Sequence, residues 1–117
     1  MSIAYAKKLN EFVLNGINEQ QDIEVFFLPT FLPLFSLKNI ITSPKLKYGS
    51  QNSGWQDEGS FTGEASPAHL KGSGCSYIEL GHAERRSMFM EDDGMINRKL
   101  KAVPGNGLMP ILCIGEK

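Results

Sequence analysis

Four short strand-like runs recur along this 117-residue chain: Ile23 to Leu28, Lys45 to Gln51, Tyr77 to Leu80 and Met109 to Ile114. Each follows a stretch with a helical signature, and that alternation is what most restricts the possible folds. Ile3, Ala6, Leu9 and Phe12-Val13 recur at helical spacing and stop near Gly16. Phe31 to Ile41 predicts a helix from about Leu32, with Pro33 in its first turn. Ser66-Pro67 supplies an N-cap followed by proline at the first helical position, opening a helix that Gly72 or Gly74 ends. Ala83-Glu84-Arg85-Arg86 reads as the first turn of a further helix. Asp92 or Asp93 caps another, with Met95, Ile96, Lys99, Leu100 and Val103 in register until Pro104-Gly105. Helix and strand in turn argue an α/β fold, a parallel sheet covered by helices.

The length suits one small domain with a real core. A formal net charge of −1, with acidic and basic residues interspersed, gives no electrostatic footprint for nucleic acid. The apolar runs are far too short to span a membrane, and the first residues lack the apolar block of a signal peptide. Cys75 and Cys113 fall inside predicted strands, with neither a CxxC spacing nor a histidine cluster. No disulfide framework and no metal site is expected, and a reducing cytoplasm is the default compartment.

Chemistry is expected where the strands end. Thr30, Gln51-Asn52, Gly81-His82 and Gly115-Glu116 follow the four strands, and parallel α/β folds build their sites at that edge. Asn52 to Glu64, rich in Gly, Ser and Asp and holding Trp55 and Phe61, is too long for an ordinary connection and is a candidate functional loop. His82 sits between a strand end and a helix start. The positive end of the helix dipole disfavours an imidazolium there and favours a neutral ring, able to donate an N–H to a polarised carbonyl oxygen. By itself such a residue could equally be a strand-end histidine satisfied by backbone. Its neighbours decide.

Gly81-His-Ala-Glu-Arg-Arg86 resembles the histidine signature of the triosephosphate isomerase family, with Ala83 where a serine is usual. Phe61-Thr-Gly-Glu64 followed by Ala65-Ser66-Pro67 is similar to the family's dimer-forming third loop and the helix after it. Gln51-Asn52 resembles the pair ending its third strand, and Pro110-Ile-Leu-Cys-Ile-Gly-Glu116 its fifth strand. The order and spacing are compatible through nearly the whole chain, so residues 1–117 are expected to form part of a (β/α)8 barrel.

The resemblance implies interconversion of dihydroxyacetone phosphate and glyceraldehyde 3-phosphate with no metal or organic cofactor. The family is itself the standard illustration of a glutamate base paired with a neutral histidine electrophile. By resemblance His82 is the electrophile and Glu84 lies in the same site. Thr62, Gly63 and Glu64 belong to a homodimer interface, with Arg85 bracing the loops around it. Asn52 and Glu116 are scaffold residues. A complete barrel needs about 250 residues, and nothing in this chain resembles the family's Asn-x-Lys strand, its later catalytic glutamate or its glycine-rich phosphate loops. The chain alone is therefore expected to be inactive. Two other functions compete. Tyr-Ile-Glu-Leu-Gly-His82 and Trp55-Gln-Asp-Glu-Gly59 look somewhat like a paralogous branch acting on a tetrulose phosphate. A non-catalytic assembly module would keep only the Phe61–Glu64 loop for association.

Overall fold

The computed structural model describes residues 2–18 and 20–115. Helix α1 (Ile3–Gly16) leads to strand β1 (Val25–Phe27), α2 (Leu34–Ile40), β2 (Leu46–Ser50), α3 (Pro67–Gly72) and β3 (Tyr77–Leu80). Two helices, α4 (Ala83–Met88) and α5 (Asp93–Ala102), and a 3-10 turn at Pro104–Asn106 precede β4 (Met109–Leu112). The strands form one parallel sheet in the order β1-β2-β3-β4.

That order never reverses, and the consequence is architectural. Crossovers between parallel strands are right-handed almost without exception. When each step moves the same way across the sheet, every connecting helix lands on the same face. A doubly wound sheet reverses its order and covers both faces; this one does not. A single buried cluster accordingly gathers Ala6, Leu34, Leu37 and Leu70 from the helices with Tyr48, Ile78 and Leu80 from the strands. Ile78 and Leu80 are buried against the helices, whereas Tyr77 and Glu79, one residue out of phase, face the other side and are only partly covered.

On that other side the Phe26 and Tyr77 rings lie 4.9 Å apart, although β2 separates their strands. Gly49 is the partner of Tyr77 in the ladder and makes the approach possible, since a Cβ there would run into the Tyr77 carbonyl. Within the helical layer, Asn10 of α1 is buried and fully engaged. Its Oδ1 accepts from the Thr42 and Ser43 backbone N–H groups, and its Nδ2 donates to Thr42 Oγ1.

Local sequence explains most element ends. Ser66 and Asp92 cap their helices by accepting from the N–H groups of His69 and Met95. Pro33 stands at the N-cap of α2, not inside its first turn, because the helix starts only at Leu34. The strand expected over Ile23–Leu28 shortens to three residues at the sheet edge, where one side has no ladder partner among the described residues. Cys113 lies just past the end of β4, and Cys75 stands two residues before β3, so neither is inside a strand; both are free thiols. Among the described residues no helix is long and apolar enough to cross a membrane, and no cluster of His, Cys, Asp and Glu could hold a metal ion.

Candidate active site

The C-terminal ends of β1, β2 and β3 open onto one cleft of about 370 Å³. Thr30, Gln51, Asn52 and His82, all singled out as strand-end residues, line it together with Glu79 and Glu84. The fourth strand end contributes Gly115, which is outside this lining; Glu116 lies outside the described residues.

His82 owes its position to two neighbours. Gly81 adopts φ +73°, turning the chain sharply off β3, and a Cβ there would crowd the Arg86 guanidinium and Ile96. Arg86 then pins the turn: Nε donates to the Gly81 carbonyl at 2.8 Å, and one terminal nitrogen donates to Asp93 at 2.8 Å. His82 is itself the N-cap of α4, its Nδ1 accepting the Glu84 backbone N–H at 3.1 Å. An accepting Nδ1 carries no proton, so that hydrogen bond assigns the neutral ring's proton to Nε2. Ring orientation and tautomer thus follow from one helix cap.

Two carboxylates flank the ring. Glu84 Oε2 is 3.8 Å from Nδ1, and its side chain is 76% exposed at the cleft rim. Glu79 Oε1 is 4.0 Å from Nε2 and its side chain is only 17% exposed. The Cys113 thiol donates to that same Glu79 oxygen at 3.3 Å. Burial, and then Glu79 itself, raise the Cys113 pKa, while burial alone pushes the Cys75 thiol up to about 11. The Arg86 guanidinium opposes the shift at Cys113 without reversing it, so neither thiol is activated as a nucleophile.

Asn52 joins the cleft to a buried ionic cluster. Ser50 and Asn52 exchange hydrogen bonds through the Ser50 hydroxyl at the end of β2, which turns the Asn52 side chain inward. Its Oδ1 accepts from Lys99 Nζ at 2.8 Å, and Lys99 also donates to Glu91 Oε2 at 2.9 Å. Arg85 Nε reaches the same Glu91 oxygen at 3.1 Å, and its guanidinium stacks 4.7 Å from the Phe89 ring centre. Burial alone would raise the Glu91 carboxyl, but hydrogen bonds and charge from Lys99, then from Arg85, outweigh it and hold the pKa below the ordinary value. Sequence reasoning missed Glu91, and placed Lys99 only as a member of the helical stripe. A lysine in register with Ile96, Leu100 and Val103 was the available signal.

Thr62, Gly63 and Glu64 are exposed at the tip of the long loop, where Glu64 N–H donates to the Phe61 carbonyl and Gly63 takes φ +86°. The Gly54 N–H closes the loop's base on the Ala65 carbonyl at 2.8 Å.

Comparison with known proteins agrees with this layout. The family model described as triosephosphate isomerase matches residues 1–117. The chain belongs to the triosephosphate isomerase family. It is 41% identical to the triosephosphate isomerase of Dictyoglomus thermophilum over 97 residues, covering 83% of this chain and 39% of the relative. The Chloroflexus aurantiacus enzyme is 39% identical over 115 residues, covering 98% of this chain and 46% of that protein. The Alkaliphilus metalliredigens enzyme is 45% identical, covering 88% and 43%. The chain therefore spans less than half the length of these relatives. Its helices and parallel strands form part of a (β/α)8 barrel, the open face of the sheet being the barrel's interior side.

Proposed function

We propose that this chain carries the electrophile of a triosephosphate isomerase site. The observation that carries the reading is the hydrogen bond from the Glu84 N–H to His82 Nδ1. It commits the neutral ring to presenting Nε2–H on the side of the cleft. In the isomerisation of dihydroxyacetone phosphate to glyceraldehyde 3-phosphate, a base removes a proton next to the carbonyl and charge develops on the carbonyl oxygen. His82 Nε2–H donates to that oxygen, stabilising the enediolate, and then relays the proton between its two oxygens. Glu84 stands at the rim of the same cleft. The loop tip Thr62-Gly63-Glu64 and the Arg85 brace serve a homodimer of the complete enzyme, which works in the cytoplasm without a metal or organic cofactor.

More than half of each relative's length has no counterpart in the matched residues. The proton-abstracting base and most of the phosphate site are assigned to that remainder. The 117-residue chain is accordingly expected to show no turnover of glyceraldehyde 3-phosphate above the uncatalysed rate in a coupled assay. Turnover that disappears in His82→Ala would overturn this, because the chain would then hold its own base.

One observation favours a second substrate. Glu79 places a carboxylate in the cleft beside His82, in the pattern that resembles the tetrulose-phosphate branch. Relative kcat/KM on triose and tetrulose phosphates, measured in a complete barrel carrying these residues, separates the two.

A further inference from the structure

We propose that Glu79 is a specificity-determining residue of the His82 cleft, accepting a hydrogen bond from the substrate hydroxyl next to the carbonyl. This rests on the reading of His82 as the group that holds the carbonyl oxygen.

Among the described residues, Glu79 has little to hold it as a structural residue. It projects from the open face of β3 between the buried Ile78 and Leu80, and its side chain is 83% covered, the complement of its 17% exposure. A carboxylate so placed normally has a cation or several strong donors around it. Among the described residues its donor is the Cys113 thiol, a weak one, on Oε1. The nearby Arg86 guanidinium is spent on Gly81, Asp93 and the Cys113 carbonyl. Nε2 of the His82 ring stands 4.0 Å from Glu79 Oε1, too far for a hydrogen bond between them.

That separation suits a shared ligand. Nε2–H is a donor and the Glu79 carboxylate is an acceptor only, and both face one cleft. The two oxygens of an α-hydroxycarbonyl are complementary, one accepting and the other able to donate, and they lie about a hydrogen-bond length apart. A carbonyl oxygen on His82 brings its neighbouring hydroxyl to Glu79. A ketone without that hydroxyl leaves the carboxylate unpaired in a partly dehydrated cleft, and sites built to bond a hydroxyl reject such analogues strongly.

The probes are dihydroxyacetone phosphate and hydroxyacetone phosphate, which differ only in that hydroxyl. Binding to the chain is read from the Cε1–H resonance of His82, with the exposed His69 as internal control. The chain is expected to bind the hydroxylated ketone about tenfold more tightly, as a charge-assisted hydrogen bond implies. Glu79→Val is expected to bring the ratio to about one, and Glu79→Gln, isosteric but uncharged, to reduce it. Equal affinities in the unaltered chain, or a ratio unchanged in Glu79→Val, overturn the proposal. If the valine variant fails to fold, an unchanged ratio in Glu79→Gln does so. Both ligands are expected to shift the His82 resonance, in the unaltered chain and in the Glu79 variants alike. If neither ligand shifts His82 in the unaltered chain, the His82 assignment fails instead.

Discussion

Glu91→Ala is expected to destabilise the chain by about 3–5 kcal/mol, the cost of stranding a buried charge. Lys99 is 1% exposed, and Glu91 is the anion that neutralises it. Without that carboxylate the ammonium keeps only the neutral Asn52 amide oxygen, and Arg85 loses its partner as well. A small domain has a total stability of about 5–15 kcal/mol, so this one change consumes much of it. The midpoint of urea unfolding should fall with little change in slope. Replacing both residues, Glu91→Met with Lys99→Met, should recover most of the loss, because an apolar pair of similar volume incurs no desolvation penalty. A single-variant loss below 1 kcal/mol would show that Lys99 is neutral or paired elsewhere.

The same cluster makes stability depend on acid. The Glu91 carboxyl is held below its ordinary value of 4.5 in the folded chain, so the folded state binds this proton less readily than the unfolded one. Its contribution is complete above the ordinary carboxyl range. It is lost progressively as pH falls from about 5 through the depressed folded value. Unfolding midpoints measured from pH 7 down to pH 3 should decline, and Glu91→Gln should flatten that decline.

The largest catalytic effect is expected at His82. In a complete barrel carrying these residues, His82→Asn should lower kcat by about 10²–10⁴-fold and leave KM nearly unchanged. Asparagine is the informative replacement because His82 has two duties. As the N-cap of α4 it accepts the Glu84 N–H, and an asparagine oxygen does the same. The substitution thus preserves the helix start and removes only the group that bonds the developing oxyanion. That bond strengthens in the transition state more than in the bound ketone, so the loss falls on kcat. A fall confined to KM would assign His82 to substrate binding alone.

Much of this was legible in the residues. Periodicity and turn residues located the helices and strands of the described residues, α4 from its first turn alone. Ser66 announced the cap it makes, whereas Asp92 and Asp93 were equal candidates until the structure chose Asp92. Gly81-His82 at the end of an apolar run was enough to place a histidine at a strand-to-helix turn. The ionic cluster was not legible. Helical spacing says which residues share a face, and so assigned Lys99 to the buried stripe without saying what it meets there. Its partner Glu91 follows Met90, which takes φ +55°, an uncommon conformation for a residue with a Cβ. No local preference of methionine announces that turn. The Glu91 N–H donates to the Arg85 carbonyl and so returns the chain to the end of α4.

The role of Glu79 shows the same division. Its place in β3 was plain, and so was its being out of phase with Ile78 and Leu80. What it faces depends on the sense of the crossovers. A strand pattern is identical whether the sheet winds both ways or always one way; only the observed order β1-β2-β3-β4 puts every helix on one side and Glu79 on the other. Sequence alone therefore determined the elements, the Ser66 cap and the histidine, because those depend on residues a few positions apart. Tertiary structure decided the one-sided sheet, the Lys99–Glu91–Arg85 cluster and the carboxylate beside His82. Each depends on groups that approach through space and leave no periodicity in the chain.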